Sequence, residues 1–376
     1  MSALNRLWSG RWGVTLTGIV VGILAPVLVK LGNPGNMGVC VACFTRDIAG
    51  ALGLHRAAAV QYIRPEIIGL VLGAAIAAVL SGEWRARGGS APLVRYLMGV
   101  IAGIAALVFL GCPWRALLRI GGGDWNAVVG LLGFAAGIWA STFFLRRGYS
   151  LGKSRPMAPV TGWIMPAAML GLLVLLLTAP RLGRDADGNP VGPIFFSASG
   201  PGSQHAAWWI SLLAALVIGF LGQRSRFCTV GAFRNLFMLR DTKLFTGVVA
   251  LILSAMATNL ALGQFHPGFA NQPIAHTDGL WNFLSMLLSG LAFALGGGCP
   301  GRQLFLAGEG DTDAAVFFFG LLTGTAVAHN FNLASSSAGV SPYGPAAVIL
   351  GLIIVVVLGF TMRDVEAGQD RSRSAA

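Results

Sequence analysis

The sequence predicts an all-α integral membrane protein of about ten transmembrane helices, with short re-entrant helices, arranged as two inverted repeats. Three observations predict it: sparse charge within long apolar runs, self-similarity between the two halves, and a lopsided distribution of basic residues. The chain has 376 residues, 55% of them hydrophobic and 11% charged, with 53 glycines. A soluble domain carries about 25% charged residues. Less than half that, with apolar runs near the ~20 residues that cross a bilayer, makes lipid the solvent. Glycine-rich runs such as GLVLGAAIAAVLSG (69–82) suit close helix packing in lipid.

The spans expected are 14–31, 65–81, 93–111, 125–145, 160–179, 206–222, 244–262, 279–297, 312–333 and 343–362. The first is read as a span and not a cleaved leader, because it is long, contains Pro26 and has no small-residue cleavage site after it. When loops are assigned alternately to the two sides, the side holding both termini collects 18 of the 26 Lys and Arg. The other side holds 8, and its loops 263–278 and 334–342 hold none. Cytoplasmic loops concentrate basic residues, so both termini are expected in the cytoplasm of a bacterial inner membrane. The net charge of +12 therefore reports topology and not a nucleic-acid partner.

Sliding the chain by 187 residues places GCPWRALLRIGGGDWNAVVGLLGFAAG (111–137) on GCPGRQLFLAGEGDTDAAVFFFGLLTG (298–324), with 12 of 27 positions identical. One residue more places VCVACFTRD (39–47) on FCTVGAFRN (227–235), matching Cys40 with Cys228 and Arg46 with Arg234. Five spans fall in each half. Five is odd, so the second copy enters from the opposite side, as in inverted-repeat transporters. The expected organisation is a first repeat over 1–180, a periplasmic connector over 181–205, and a second repeat over 206–376. The connector's DADGN resembles a calcium loop only in outline; without the later glutamate and spacing it reads as a solvated turn.

Four of the five cysteines form two pairs matched between the halves: Cys40 with Cys228, and Cys112 with Cys299. A single membrane cysteine is ordinarily a small buried hydrophobe. Two pairs kept in register through a duplication argue for function instead. Proline after cysteine suits the first helical position. Cys112 and Cys299 are therefore expected to cap the short segments PWRALLRI and PGRQLFLA, which cannot span and read as re-entrant helices. The helix N-terminus, and Arg115 or Arg302 three residues on, favour the thiolate. The motif thus stations a reactive thiol beside a cation at membrane depth.

Arginine inside an apolar bundle is a functional-site hypothesis by default. The alternative for Arg115 and Arg302, and more so for Arg46 and Arg234, is a structural charge bonding carbonyls at a helix end. Asp124 and Asp311 follow Gly-rich turns and read as helix N-caps. Cys43 makes a CxxC with Cys40, but its counterpart in the second half is Gly231, so the doublet is not part of the symmetry. With no second CxxC and no clustered histidine, no metal site is expected. His329-Asn330 reads as bonding between neighbouring helices, with lining a path as the alternative; His266 and His276 fall in a loop. A phosphate-binding loop, a GxSxG elbow and paired carboxylates are not legible, so a hydrolase or ATP-driven pump finds no support.

The segments 32–69, FLGCPWRALLRIGGGDWNAVVGLLG (109–133), RFCTVGAFRN (226–235) and GGCPGRQLF (297–305) resemble the YeeE/YedE family of membrane proteins, in particular its YedE branch of selenium transporters. The resemblance lies in both halves. It implies short helices dipping toward a central constriction lined by cysteines, here Cys40, Cys112, Cys228 and Cys299, along which a solute passes. It implies no cofactor, a small cytoplasmic sulfur-carrier protein as partner, and membrane lipid around the bundle.

The expected function is import of a small selenium- or sulfur-containing solute. Arg115, Arg302 and the helix N-termini would attract an anion, and soft thiols would discriminate a chalcogen compound from sulfate or phosphate. No energising domain is legible, so flux is expected to run downhill. Thiosulfate uptake is the narrower alternative. A membrane thiol–disulfide oxidoreductase is the rival of another class, with Cys112 and Cys299 as its obvious pair and a required Cα separation of at most about 7 Å. A receptor or scaffold without flux is the third reading.

Overall fold

The computed structural model describes residues 10–178 and 194–363, with Trp8 besides. The DADGN stretch at 185–189, and most of the connector, lie outside the described residues. Helix dominates. The first half holds α1 (Arg11–Lys30), α2 (Val41–Ala51), α3 (Pro65–Leu80), α4 (Pro92–Phe109), α5 (Pro113–Gly121), α6 (Asn126–Arg146), α7 (Pro159–Gly162) and α8 (Ile164–Thr178). The second holds α9 (Trp208–Ser225), α10 (Thr229–Leu239), α11 (Lys243–Ala261), α12 (Gly279–Leu295), α13 (Pro300–Gly308), α14 (Thr312–Asn330) and α15 (Gly344–Thr361). The strands β1 (Arg87–Gly88) and β2 (Arg155–Pro156) form a two-residue antiparallel ladder.

The chain is therefore an all-α integral membrane protein. Among the described residues, eight apolar helices or helix pairs are long enough to cross a membrane. The other two expected spans, 65–81 and 160–179, are the shorter α3 and α8. At 1.5 Å per residue these reach about 24 and 22 Å, below the ~30 Å hydrocarbon thickness. They meet that shortfall differently. Most of α3 is buried in protein, whereas only Met165, Pro166 and Met169 of α8 are buried. The outward faces of α8 and α15, with Leu170, Val174, Leu177, Ile349, Ile353 and Val357, are apolar, as a lipid-facing surface requires.

The four largest helix interfaces form two reciprocal sets: α3 with α9 and α11 with α1, then α14 with α4 and α12 with α6. Each interface joins a helix of one half to a helix of the other, and under the 187–188-residue alignment the two contacts of a set are counterparts. All four rest on glycine. A Cβ on Gly18 would stand 2.1 Å from the Gly247 carbonyl oxygen; on Gly73, 2.2 Å from that of Leu216; on Gly320, 2.1 Å from that of Tyr96; and on Gly137, 2.1 Å from that of Leu287. Gly18-Gly22, Gly69-Gly73, Gly99-Gly103, Gly133-Gly137 and Gly320-Gly324 each have the GxxxG spacing that puts both glycines on one helix face. In lipid, where burial of oil against oil gains little, backbone approach of this kind is what packs helices.

The chain re-enters the bundle after α1. Gly38 packs directly on the carbonyl of Ala25, so residues 31–40 fold back along the helix just left and carry Cys40 inward. Glycine is required there, since a Cβ would meet that oxygen at 2.0 Å.

Gly320→Leu is expected to lower stability by about 1–3 kcal/mol through overpacking. Gly171→Leu, on open helix surface, should change it by less than about 0.5 kcal/mol. Thermal unfolding of the two variants in one detergent compares them directly.

Candidate functional site

The short helices that carry the cysteines are built as their sequences demand. Cys112 caps α5 and Cys299 caps α13, each with proline at the first helical position. Cys40 caps α2 and Cys228 caps α10 through their sulfurs, which accept the N–H of Cys43 at 3.4 Å and of Gly231 at 3.2 Å. All four matched cysteines thus stand at helix N-termini, where partial positive charge gathers.

The thiols pair within each half. The Sγ atoms of Cys40 and Cys112 lie 3.9 Å apart. Cys228 and Cys299 lie within interaction range of each other, with Thr229 beside Cys299. Among the described residues no hydrogen bond joins Cys112 to Cys299, the pair expected of the oxidoreductase. The physical reason is that each GCP helix packs beside the capping cysteine of its own repeat. None of the five cysteines is in a disulfide. Cys228 is 8% exposed while Cys40, Cys43, Cys112 and Cys299 are at 0–1%, so the second-half pair is the one closer to solvent.

Arg115 is fully buried. Its Nε donates to the Asn36 carbonyl (3.3 Å), Nη2 to those of Pro273 (3.2 Å) and Ile274 (3.0 Å), and Nη1 to that of Leu110. Nη1 also reaches the Cys43 sulfur at 3.8 Å. This gives Cys43 a place beside the arginine. Among the described residues no carboxylate reaches Arg115. Carbonyl dipoles satisfy its donors without cancelling its charge, so a net positive charge sits against the Cys40–Cys43–Cys112 group. Arg302 is different: its Nη1 donates to Glu309 Oε1 at 3.3 Å, and Glu309 also binds Arg87 and Arg226. Position 122, which matches Glu309, is glycine. The two halves therefore share thiols but not charge balance.

Arg46 bonds Asp47 Oδ1 through Nε (2.9 Å) and Nη2 (2.7 Å), while Arg64 Nε takes Oδ2 at 2.7 Å. Arg64 also reaches the carbonyls of Gln204 and Pro201 and lies over the rings of Phe44 and Tyr62. Its burial was not legible, because one arginine before a proline reads as a loop residue. Arg234, the counterpart of Arg46, meets Asn235 at 3.4 Å where the first half has Asp47. Arg119, likewise not singled out, is buried and paired with Asp124 at 2.6 Å. The signal was its position four residues after Arg115, on the same face of α5.

Asp311 caps α14 as expected, accepting from Ala314 N–H at 3.1 Å. Asp124 does not cap α6; Trp125 is the cap residue, and Asp124 accepts instead from Arg119 and from the backbone and side chain of Asn126. Neutralising Arg119 took precedence. The His329 ring lies 4.7 Å from that of His55, and Asn330 donates to the Leu54 carbonyl at 2.9 Å, so this dipeptide ties α14 to the turn after α2. His266 leaves its carbonyl to Gln272 (2.8 Å); His276 is buried with Nε2 2.9 Å from the Val108 carbonyl. Among the described residues no group of three potential metal ligands occurs.

Two loop histidines are held below the ordinary imidazole value. Burial does this at His55 with help from the charge of Arg46, and at His276 with help from Arg119. Both are therefore neutral when folded, and unfolding lets them take up protons. Stability is full above the unfolded value near pH 6.5 and is lost as pH falls below it. Denaturation at about pH 7.5 and about pH 5.5 should show this loss, and His55→Gln with His276→Gln should reduce it. Asp124→Ala leaves Arg119 buried without its partner and is expected to cost about 3–5 kcal/mol. Asp311→Ala, which removes a cap and a part-exposed ion pair with Arg87, should cost about 1–2 kcal/mol. Unfolding of the two variants side by side measures the difference.

Residues 224–361 match the family profile described as Sulphur transport. The resemblance to the YeeE/YedE family read from the motifs is borne out there, although the match does not single out the selenium branch. A thiosulfate transporter, TsuA, of Spirochaeta thermophila is 31% identical over 120 residues, covering 30% of this chain and 34% of that protein. The thiosulfate transporter TsuA of Escherichia coli K12 is 28% identical over 120 residues, covering 31% of this chain and 32% of its own length. The match thus spans about a third of the curated relatives.

Proposed function

For a membrane chain whose second half carries the sulphur-transport family's signature, we propose import of a small sulfur- or selenium-containing anion. The observation that carries this reading is the repeated unit: a pair of thiols at the N-termini of two short helices, with an arginine three residues after the GCP cysteine. In the first half that arginine keeps an uncancelled charge, which draws an anion toward soft sulfur donors that suit a chalcogen compound better than sulfate. Cys40, Cys112, Cys228 and Cys299 line the path. Arg115 and Arg302 attract the solute, Cys43 adds a third thiol beside Arg115, and Arg46 and Arg234, midway along their short helices, are secondary candidates for the same path.

The reciprocal pairing of helices supports two inverted repeats around a pseudo-two-fold axis. Basic residues concentrated on the side of the termini support cytoplasmic ends in a bacterial inner membrane. Flux runs down the solute gradient, and the basic inner loops suit a small cytoplasmic sulfur-carrier protein that removes the product. Thiosulfate, carried by the relatives according to their names, is the first solute to offer, with selenium oxyanions beside it.

The competing oxidoreductase draws on the 3.9 Å Cys40–Cys112 contact, from which a disulfide forms with little movement. It leaves the uncancelled Arg115 without a role.

Proteoliposomes offered labelled thiosulfate, selenite and sulfate should take up a sulfur or selenium compound saturably and exclude sulfate. Cys112→Ser and Cys299→Ser should each reduce that uptake by about ten-fold or more, the worth of a lost contact to a charged ligand. If no solute enters, and a Cys40–Cys112 or Cys228–Cys299 disulfide follows the redox poise instead, the importer reading is wrong.

A further inference from the structure

Trp114 is the largest fully buried side chain among the described residues, and it packs on residues next to the cysteines of the other half. Two residues precede it to Cys112. Its ring meets Phe227, the neighbour of Cys228, with centroids 5.7 Å apart, and Phe305 of α13 at 5.9 Å. Its indole edge rests on Gly301, two residues beyond Cys299: a Cβ there would stand 2.5 Å from Cζ2 and 2.8 Å from Cε2. Under the 187-residue shift, Gly301 is the counterpart of Trp114 itself. One half supplies the largest side chain and the other supplies none, so a single indole fills the point where the two re-entrant helices meet.

That indole also carries an anomaly. Nε1 is buried and makes no hydrogen bond. An orphaned buried donor costs free energy that a ring without the N–H would not, and in a folded protein it calls for an explanation. Nε1 is bonded to Cε2, one of the three ring atoms nearest Gly301, so the N–H is carried one bond from the atoms that pack on α13, whose cap is Cys299.

We infer that Trp114 is the barrier between the Cys40–Cys112 pair and the Cys228–Cys299 pair, and that its unpartnered indole N–H is the donor that receives the anion as it crosses. The second half of this inference rests on the importer reading; the barrier does not. With the ring down on Gly301 the two pairs are separated. Displacement of the ring joins them, and the N–H then bonds the solute during the transfer from first pair to second. Selectivity follows, since an uncharged or poorly accepting solute gains nothing at the barrier.

The test has two arms in membrane vesicles. An impermeant methanethiosulfonate cation is added from the face nearer Cys228, and modification is read residue by residue by mass spectrometry. Trp114→Ala should raise the rate at Cys112 by roughly ten-fold or more, since thiol reactivity follows access; Trp114→Phe should leave it as in the wild type. An unchanged rate in Trp114→Ala overturns the barrier. In the second arm, Trp114→Phe should lose about ten-fold of thiosulfate uptake, the worth of one hydrogen bond to an anion, while its folded yield and helical circular dichroism stay as in the wild type. Wild-type uptake in that variant overturns the donor role. Absence of uptake by the wild type overturns the importer reading and the donor with it, while the modification arm still decides the barrier.

Discussion

Backbone-to-backbone contact between helices of opposite halves is the constraint on which the rest of the molecule depends. At Gly18, Gly73, Gly137 and Gly320 a methyl group would overlap the facing carbonyl. Because these contacts come in reciprocal sets, neither half has its main partners within itself: α1 needs α11 and α4 needs α14. The short helices between them have nowhere to go but inward. Their N-termini, each with a cysteine at the cap, are therefore delivered to the interior by the packing of the long helices and not by their own hydrophobicity.

Charge inside such a bundle must be accounted for residue by residue. Arg46 and Arg64 share Asp47, Arg119 holds Asp124, and Arg302 shares Glu309 with Arg87 and Arg226. Arg115 alone of the arginines on the short helices in the first half relies on carbonyls. Removing one partner of a buried pair costs about 3–5 kcal/mol, so an arginine left without a carboxylate persists only where something else is gained. Its contact with Cys43 connects that charge to the thiol group. The asymmetry arises at one position, Gly122 against Glu309, and it makes the two ends of the bundle electrostatically unlike although their thiols match.

Much of this was legible in the sequence. Composition fixed the solvent, the GCP repeat located the starts of both short helices, and proline after cysteine identified the caps. The thiol partners were not legible, because Cys40 meets Cys112 across 72 residues and only the folding-back at Gly38 brings them together. Trp114 and Gly301 were hidden by the alignment itself, since a mismatched column reads as drift when it is in fact a complementary pair. Arg64 and Arg119 were not singled out; the burial of Arg64 depends on Asp47, a carboxylate that sequence spacing does not tie to it. The shorter α3 and α8 show the reverse limit, where apolar length was read correctly in kind and too generously in extent.

The central claim, that the paired thiols meet the solute, is tested most directly by substrate protection. Alkylation of Cys112 and Cys299 by N-ethylmaleimide would be followed in purified protein with thiosulfate, selenite or sulfate present. Slowed modification at both cysteines by thiosulfate or selenite, and none by sulfate, is the result the account predicts. Equal rates with and without every solute would contradict it.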